Sequence, residues 1–159
     1  MDSLLPIDIS ASALAAQRLR LALIASNLAN AQTTRTPEGG PYRRRDLVMA
    51  AMPTPEFEAE LEKQAAKGGA ANLSEEALFA AHLRGVKPLD IAMDEREPLI
   101  VHAPWHPDAD ANGNVAMPNI SVIEEMINMI AVSRSYEANV AVIKTTKSMV
   151  DEALAIGQR

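Results

Sequence analysis

Hydrophobic residues recur at helical spacing from Ser121 to Ile156, a stretch that contains neither proline nor glycine. Spacings of three and four continue over several heptads, with Ser133 and Lys147 as polar interruptions. The apolar positions of this predicted seam are Val122, Met126, Met129, Tyr136, Val140, Ile143, Val150 and Leu154. The pattern predicts one long helix, about 54 Å in length, that packs against another helix.

A second helical pattern runs from Ile7 to about Ala31, with Asp8 or Ser10 as the expected N-terminal cap. Its predicted seam is interrupted by Arg18 and consists of Ile7, Ala11, Leu14, Leu21, Ala25 and Leu28, broadened by Leu19, Leu23 and Ile24. We expect the two terminal helices to pair through these seams. Their surplus apolar faces would then point to other subunits.

The middle of the chain is divided by proline and glycine into short elements. Tyr42 to Met52 is predicted to be extended, and two short helices are expected within 53–84, the second ended by Gly85. Val86–Met93 and Leu99–His102 have the alternation of short strands, which we expect to form a hairpin. The prediction is a mainly α protein with a small, partly β middle region.

Polar residues beside these elements have specific predicted roles. Asn30 is expected to end the first helix, whereas Asn27 lies a turn earlier and is expected to bond to a neighbouring segment. The basic run Arg43–Arg45 is interpreted as a solvated strand end. Glu124 and Glu125 fall in the first turn of the long helix, where the helix dipole favours acidic groups.

Composition excludes several classes of function. The formal net charge of -6 and the pI of about 5.1 give no basic face for a nucleic acid. The chain has no cysteine, and no apolar run approaches the roughly 20 residues of a membrane span. The N-terminus lacks a basic flank before an apolar core, so we expect neither a cleaved signal peptide nor direct membrane insertion.

Catalysis and cofactor binding have little support in the sequence. There is no nucleophile elbow and no phosphate-binding glycine-rich loop. Residues 108–114 match the first half of an EF-hand calcium loop, but the twelfth position is Asn119 instead of glutamate. A surface turn with Asn-Gly at its tip is the better interpretation. His102, His106 and Asp108 lack a fourth ligand for zinc.

Polar residues crowd the middle of the long predicted helix. Arg134 and Glu137 are three residues apart and could pair with each other. Alternatively, together with Asn139, they meet a neighbouring subunit and fix its register. Tyr136 lies on the seam, and its hydroxyl should find a partner if it is buried.

The motifs resemble those of the bacterial flagellar axial proteins. Ser26-Asn27-Leu28-Ala29-Asn30, followed by Thr34 and Pro41-Tyr42-Arg43-Arg44, is similar to the N-terminal motif of that family. The segments 106–119 and 124–126 then lead to Ser133-Arg134-Ser135-Tyr136-Glu137-Ala138-Asn139-Val140. This ordered combination is most similar to the proximal-rod proteins of the flagellar basal body. The similarity covers about two-thirds of the chain, and residues 53–84 depart from it.

The resemblance implies a fold, a location and partners. It implies that segments 1–36 and 119–159 form an antiparallel coiled-coil domain in the wall of a tubular rod, with 37–118 as an outer part. The rod would cross the periplasm and transmit torque from motor to hook. Implied partners are copies of the chain itself, other rod proteins and the type III export apparatus, which requires no cleaved signal. No cofactor is implied.

Two hypotheses follow. In the first, the chain is a structural polymer subunit whose terminal helices are weakly ordered in the isolated monomer and become helical on assembly. The residues expected at the subunit interface are Leu14, Leu21, Asn27, Leu28, Asn30, Met126, Met129, Arg134, Tyr136, Glu137, Asn139, Val140, Ile143 and Val150. In the second, the chain is a self-contained calcium-binding or coiled-coil interaction module.

Overall fold

The computed structural model describes residues 5–53 and 83–157, in which long helices at both ends flank two small β-sheets. In chain order the elements are α1 (Leu5–Ala29), β1 (Arg45–Pro53), β2 (Arg84–Met93), β3 (Leu99–His102), β4 (Asn114–Met117) and α2 (Val122–Gly157). The chain divides into two compact units. The first unit takes its described residues from 5–16, 49–53, 83–89 and 136–157, and the second consists of Gln17–Val48 and Asp90–Ser135.

The ends of both helices follow from local capping. α2 begins one residue after its predicted start, and the Ser121 hydroxyl accepts a hydrogen bond from Glu124 N at 3.3 Å. α1 ends where predicted, because the Asn30 side chain donates to Ser26 O at 2.9 Å. The predicted cap of α1 is wrong. The helix already begins at Leu5, so Asp8 and Ser10 lie inside it.

Part of the face that each helix buries is displaced from the predicted seam by one residue, or about 100° around the helix. The buried residues of α1 are Ser10, Ala16, Ile24 and Asn27. Ser10 and Asn27 lie one position before the predicted seam residues Ala11 and Leu28, whereas Ile24 belongs to the predicted broadening of the seam. In α2 the buried residues are Glu125 and Val132, again one position early. The seam prediction assumed that apolar residues face inward, whereas several buried positions here are polar.

Much of the predicted seam of α2 is consequently on the surface of the chain. Val122, Met126, Tyr136 and Leu154 are exposed. Met129, Val140, Ile143 and Val150 are half-buried. The first turns of α2 therefore bury Glu125 and expose Ile123, Met126 and Ile127, the reverse of an ordinary amphipathic helix.

β1, β2 and β3 lie where extended segments were predicted, whereas β4 was not predicted and the pairing differs from the expected one. β2 pairs with β1, and β3 pairs with β4 in antiparallel register with Leu99 opposite Met117 and His102 opposite Asn114. The predicted hairpin of β2 with β3 is therefore wrong. Sequence proximity suggested that pairing, but the charged segment 94–98, which ends in Pro98, instead separates two different sheets.

The turn that joins β3 to β4 has Asn-Gly at its tip, as the sequence predicts. Gly113 has a φ of 76° and donates its N–H to Asp110 O at 3.0 Å. A Cβ at Gly113 would lie 3.0 Å from a ring carbon of His102 and 3.2 Å from Pro104. Glycine is therefore required here both for its backbone conformation and for the close approach of its neighbours.

The two helices predicted within 53–84 fall almost entirely outside the described residues. Gly85, which was expected to end the second of them, lies inside β2. Its Cα faces α1 so closely that a Cβ would lie 3.1 Å from the Ser12 hydroxyl. That hydroxyl also accepts a hydrogen bond from Val86 N at 3.1 Å, so this glycine allows the first unit to pack a strand against α1.

Candidate functional site

A group of buried polar side chains joins the end of α1 to the start of α2 within the second unit. We call it the Asn27 cluster; its members are Asn27, Tyr42, Arg44, Glu125 and the backbone of Arg45. Asn27 is completely buried and Glu125 is 1% exposed. The Asn27 amide donates to Arg45 O at 2.8 Å and to Glu125 Oε2 at 3.2 Å. Its oxygen accepts from Arg45 N at 3.0 Å and from the Tyr42 hydroxyl at 3.2 Å.

These four bonds use the full hydrogen-bonding capacity of the Asn27 amide. The orientation of the amide is fixed by the backbone, since Arg45 N–H requires an acceptor and Arg45 C=O requires a donor. The side chain thus takes the place of a strand neighbour at the first residue of β1. The predicted bonding of Asn27 to a neighbouring segment is confirmed.

Glu125 and Arg44 form the charged part of the Asn27 cluster. Arg44 Nε donates to Glu125 Oε1 at 2.8 Å, and the other carboxylate oxygen is held by Asn27. Burial lowers the pKa of Arg44, but the hydrogen bond and the attraction to Glu125, with the attraction to Asp46, outweigh it and raise that pKa. Arg44 therefore stays charged, and the buried Glu125 carboxylate has a fixed counter-ion.

Tyr42 extends the cluster towards α1. Because its hydroxyl donates to Asn27 Oδ1, the 3.2 Å contact with the Ser26 hydroxyl has Ser26 as the donor. The Arg45 guanidinium lies 5.6 Å from the centre of the Tyr42 ring, within the range of a cation–π contact. Of the basic run, only Arg43 is exposed, so the interpretation as a solvated strand end is wrong for Arg44.

Sequence reasoning missed Arg44 and Glu125 because each had an ordinary local explanation. An acidic residue in the first turn of a helix is stabilised by the dipole, and an arginine beside a strand is usually solvated. A usable signal was the position of Glu125. It lies one residue before the predicted seam residue Met126 in α2, just as Asn27 lies one residue before the predicted seam residue Leu28 in α1. The apolar pattern drew attention to Met126 instead.

The residues predicted at the subunit interface differ in burial. Asn27 is buried. The exposed members are Leu21, Met126, Arg134, Tyr136 and Glu137. The half-buried members are Leu14, Leu28, Asn30, Met129, Asn139, Val140, Ile143 and Val150.

The outer face of α2 carries a continuous group of exposed hydrophobic residues, of which the sequence analysis singled out only Val122 and Met126. We call it the α2 stripe; its members are Val122, Ile123, Met126, Ile127 and Ile130. Ile123 is 73% exposed and Ile127 is 61% exposed. Contiguous exposed apolar groups of this kind mark protein interaction sites. The stripe occupies the same turns whose inner face holds Glu125.

The residues considered for metal binding have other partners. Asp108 Oδ2 accepts a hydrogen bond from the Thr34 hydroxyl at 2.7 Å. Asp110 Oδ1 accepts from the backbone N–H groups of Asn112 and Asn114, both at 2.8 Å, which is the bonding of a turn. Within residues 5–53 and 83–157, no group of three or more His, Cys, Asp or Glu could hold a metal ion.

His102 and His106 are likewise engaged locally, with His102 Nδ1 3.2 Å from Asn114 Oδ1 and His106 Nδ1 accepting from Asp108 N. The calcium and zinc hypotheses therefore find no support in the geometry of this loop. Among the helices of the described part, none is both long and apolar enough to cross a membrane.

Comparisons with known proteins match both ends of the chain and almost its full length. Residues 7–35 match the family model described as flagella basal body rod protein, and residues 111–156 match the C-terminal model of the flagellar basal body rod FlgEFG proteins. The chain is 40% identical over 151 residues to the flagellar basal-body rod protein FlgC of Salmonella typhimurium, covering 95% of both chains.

FlgC proteins of two other organisms give similar values. The chain is 38% identical to FlgC of Bacillus subtilis over 96% of both chains. It is 37% identical to FlgC of Borreliella burgdorferi over 96% of this chain and 95% of that one. With identities of this size over almost the whole length, the chain belongs to the FlgC family of flagellar basal-body rod proteins.

Proposed function

We propose that this protein is a structural subunit of the proximal rod, that it polymerises through its terminal helices, and that the resulting rod transmits torque from motor to hook. Membership of the FlgC family supports the rod assignment. The observation that carries the proposal of assembly is the outward placement of the α2 stripe, because a chain that exposes its large apolar residues can bury them only against a partner.

We propose further that the terminal segments form an antiparallel coiled coil. Two hydrogen bonds support this arrangement: Asn27 of α1 bonds to Glu125 of α2, and Gln17 bonds to Ser135 at 3.1 Å. Gln17 lies ten residues before Asn27 in α1, and Ser135 lies ten residues after Glu125 in α2. The two helices therefore run in opposite directions between these contacts. Segments 1–36 and 119–159 would line the rod, and 37–118 would lie outside them.

The proposed partners are copies of the chain and other rod proteins. Tyr136, Arg134 and Glu137 are exposed and available for such contacts. Each apolar side chain that a neighbour covers completely contributes about 1.5–3 kcal/mol to association. That gain would offset the cost of ordering the terminal helices, which we expect to be weakly ordered in the monomer.

The proposed location is the rod in the periplasm, reached through the flagellar type III export apparatus. This proposal rests on the family, whose members are named as basal-body rod proteins. For the same reason we propose a structural role and not an enzymatic one.

Replacement of Tyr136 by aspartate tests the proposal. Tyr136 is 37% exposed, so Tyr136→Asp places a charge where a neighbouring subunit would pack, and circular dichroism of the purified variant checks that its fold is retained. We expect loss of rod assembly and of motility in cells, and normal assembly of the Tyr136→Phe control. Normal motility of Tyr136→Asp would contradict this placement of the interface.

A further inference from the structure

The turn between β3 and β4 contains a chemically labile pair of residues, Asn112 and Gly113. No other asparagine of the chain precedes a glycine. Glycine has no Cβ, so its backbone nitrogen can approach the side chain of the preceding asparagine without hindrance. Asn112 is exposed, which gives water access to its thermolabile amide group. The pair therefore has the composition and the accessibility that spontaneous deamidation requires.

Deamidation at this pair is an intramolecular substitution. The Gly113 backbone nitrogen attacks Asn112 Cγ, a bond forms between these two atoms, and the Cγ–Nδ2 bond breaks. The amide proton of Gly113 leaves with the amino group as ammonia, and the chain retains a cyclic succinimide. Water then opens this ring at either carbonyl group. One opening gives aspartate, and the other gives isoaspartate, whose main chain is longer by one methylene group.

Hydrogen bonds of the folded turn oppose the attack. The Gly113 N–H donates to Asp110 O at 3.0 Å, so the attacking nitrogen is already engaged. Asp110 Oδ1 accepts from Asn112 N and Asn114 N, both at 2.8 Å, which holds the backbone on both sides of the pair. Gly113 O in turn accepts from Ala103 N at 2.9 Å. The nitrogen can reach Asn112 Cγ only when this part of the chain opens locally.

We propose that Asn112 is a site of spontaneous deamidation, and that its rate is set by opening of the β3–β4 turn, which Asp110 holds closed. In the folded chain the reaction is slow. In an unfolded chain the same pair reacts at the rate of a free peptide, with water as the one co-reactant. This modification goes beyond the proposed function and depends on none of the rod contacts.

The isoaspartate product does not fit the folded turn. Asp110 N donates to Asn114 O at 2.8 Å, so the main chain between these two residues closes a tight loop. An extra methylene group at position 112 lengthens that loop. Gly113 has no space to move towards β3, because even a Cβ there would lie 3.0 Å from a ring carbon of His102. A chain that is modified while unfolded therefore cannot rebuild the turn.

Peptide mapping by mass spectrometry tests the proposal on the purified full chain, incubated at mildly alkaline pH in native buffer and in guanidinium chloride. We expect conversion of the Asn112 amide to a carboxyl group to be at least about tenfold faster in denaturant, because the native reaction requires local opening. Asn114 lies in the same turn but precedes Val115, so it is the internal control and should react slowly in both. Enzymatic methylation of isoaspartate identifies the product.

Two substitutions at Asp110 test its role. Asp110→Ala removes the acceptor of two backbone N–H groups and should raise the rate in native buffer by about fivefold or more. Asp110→Asn keeps an acceptor oxygen at the same place and should react nearly as slowly as the wild type. Both variants lack the charge, so their difference measures the hydrogen bonds. Circular dichroism checks that the rest of the fold is retained.

Three results would overturn the proposal. The first is an equal rate at Asn112 in native buffer and in denaturant. The second is reaction of Asn114 as fast as that of Asn112. The third is a wild-type rate in folded Asp110→Ala. None of these results concerns assembly, so failure of the proposal can be distinguished from failure of the rod assignment in the Tyr136→Asp experiment.

Discussion

The two faces of the first turns of α2 differ in a way that separates folding from association. The inner face holds Glu125, which is buried among hydrogen bonds from Arg44 and Asn27. The outer face holds the α2 stripe, whose hydrophobic residues are exposed. In an ordinary surface helix these two compositions would be exchanged.

The difference shows what each face can contribute. A buried polar cluster gives little net stability, but it tolerates only one arrangement, because any other leaves charges and amide groups unpaired. A row of exposed apolar side chains does not specify one arrangement in this way, but its burial contributes a large favourable free energy. The inner face therefore specifies how the chain folds, and the outer face is available to other chains. The following changes test that division.

The largest effect is expected from removal of the Asn27 side chain. Asn27→Ala leaves both backbone groups of Arg45 and part of the Glu125 carboxylate without partners, so the free energy of unfolding should fall by about 3 kcal/mol or more. Denaturant unfolding measures this loss. Asn30→Ala is the control; its half-buried amide makes two local bonds, and its loss should cost about 1 kcal/mol. Equal losses would contradict a special role for Asn27.

A smaller loss is expected from neutralising Glu125. Glu125→Gln keeps the size of the side chain but removes the charge that faces Arg44, which should cost about 2 kcal/mol. The adjacent Glu124 provides the comparison, since it is exposed, and Glu124→Gln should change stability by less than about 0.5 kcal/mol. If both variants unfolded at the same denaturant concentration, the assignment of an inner and an outer acidic residue would be wrong.

Gly113 tests the turn between β3 and β4. Gly113→Ala must adopt a positive φ and also crowd His102 and Pro104, so we expect a loss of about 2 kcal/mol. Gly40 has a φ of 75° but open space around it. Gly40→Ala should therefore cost about 1 kcal/mol, from backbone strain alone. Thermal unfolding of the two variants compares these costs, and a larger loss for Gly40→Ala would refute the crowding argument.

The smallest expected effect is on the stability of the fold at low pH, through the carboxyl group of Asp94. The side-chain hydrogen bond from Arg96, followed by that from its backbone, lowers the pKa of Asp94. A carboxyl group with a lowered pKa stabilises the fold above about pH 4 and loses that contribution as the pH falls further. Arg96→Gln should reduce the pH dependence of unfolding below pH 4, and Arg43→Gln, at an exposed site, should not. An unchanged profile in Arg96→Gln would remove Asp94 as a contributor.

The helices were predictable from sequence because their signals are local. The two windows without proline and glycine, together with Asn30 as the expected end of α1, placed all four helix ends to within two residues. The predicted N-terminal cap of α1 was wrong, since Asp8 and Ser10 are good capping residues that instead lie within the helix. The positions of β1, β2 and β3 were also predictable, whereas β4 was not predicted, and the partner of β2 depends on contacts distant in sequence.

The candidate site was predictable only in part. Asn27 was recognised because its place one turn before the helix end had no local explanation. Arg44 and Glu125 escaped notice, because composition cannot show that a charged side chain is buried until its partner is known. The same limit explains why the buried faces differ from the predicted seams, since the assumption that apolar residues face inward fails for a helix that exposes Ile123, Met126 and Ile127.

Amide hydrogen exchange of the isolated monomer tests the central claim most directly. Arg45 N–H bonds to the buried oxygen of Asn27, and α2 is held at Glu125. We predict slow exchange at Arg45 and around Glu125, fast exchange towards the end of α2, and loss of protection at Arg45 in Asn27→Ala. Uniform protection along both terminal helices, or rapid exchange at Arg45 in the wild type, would contradict the account.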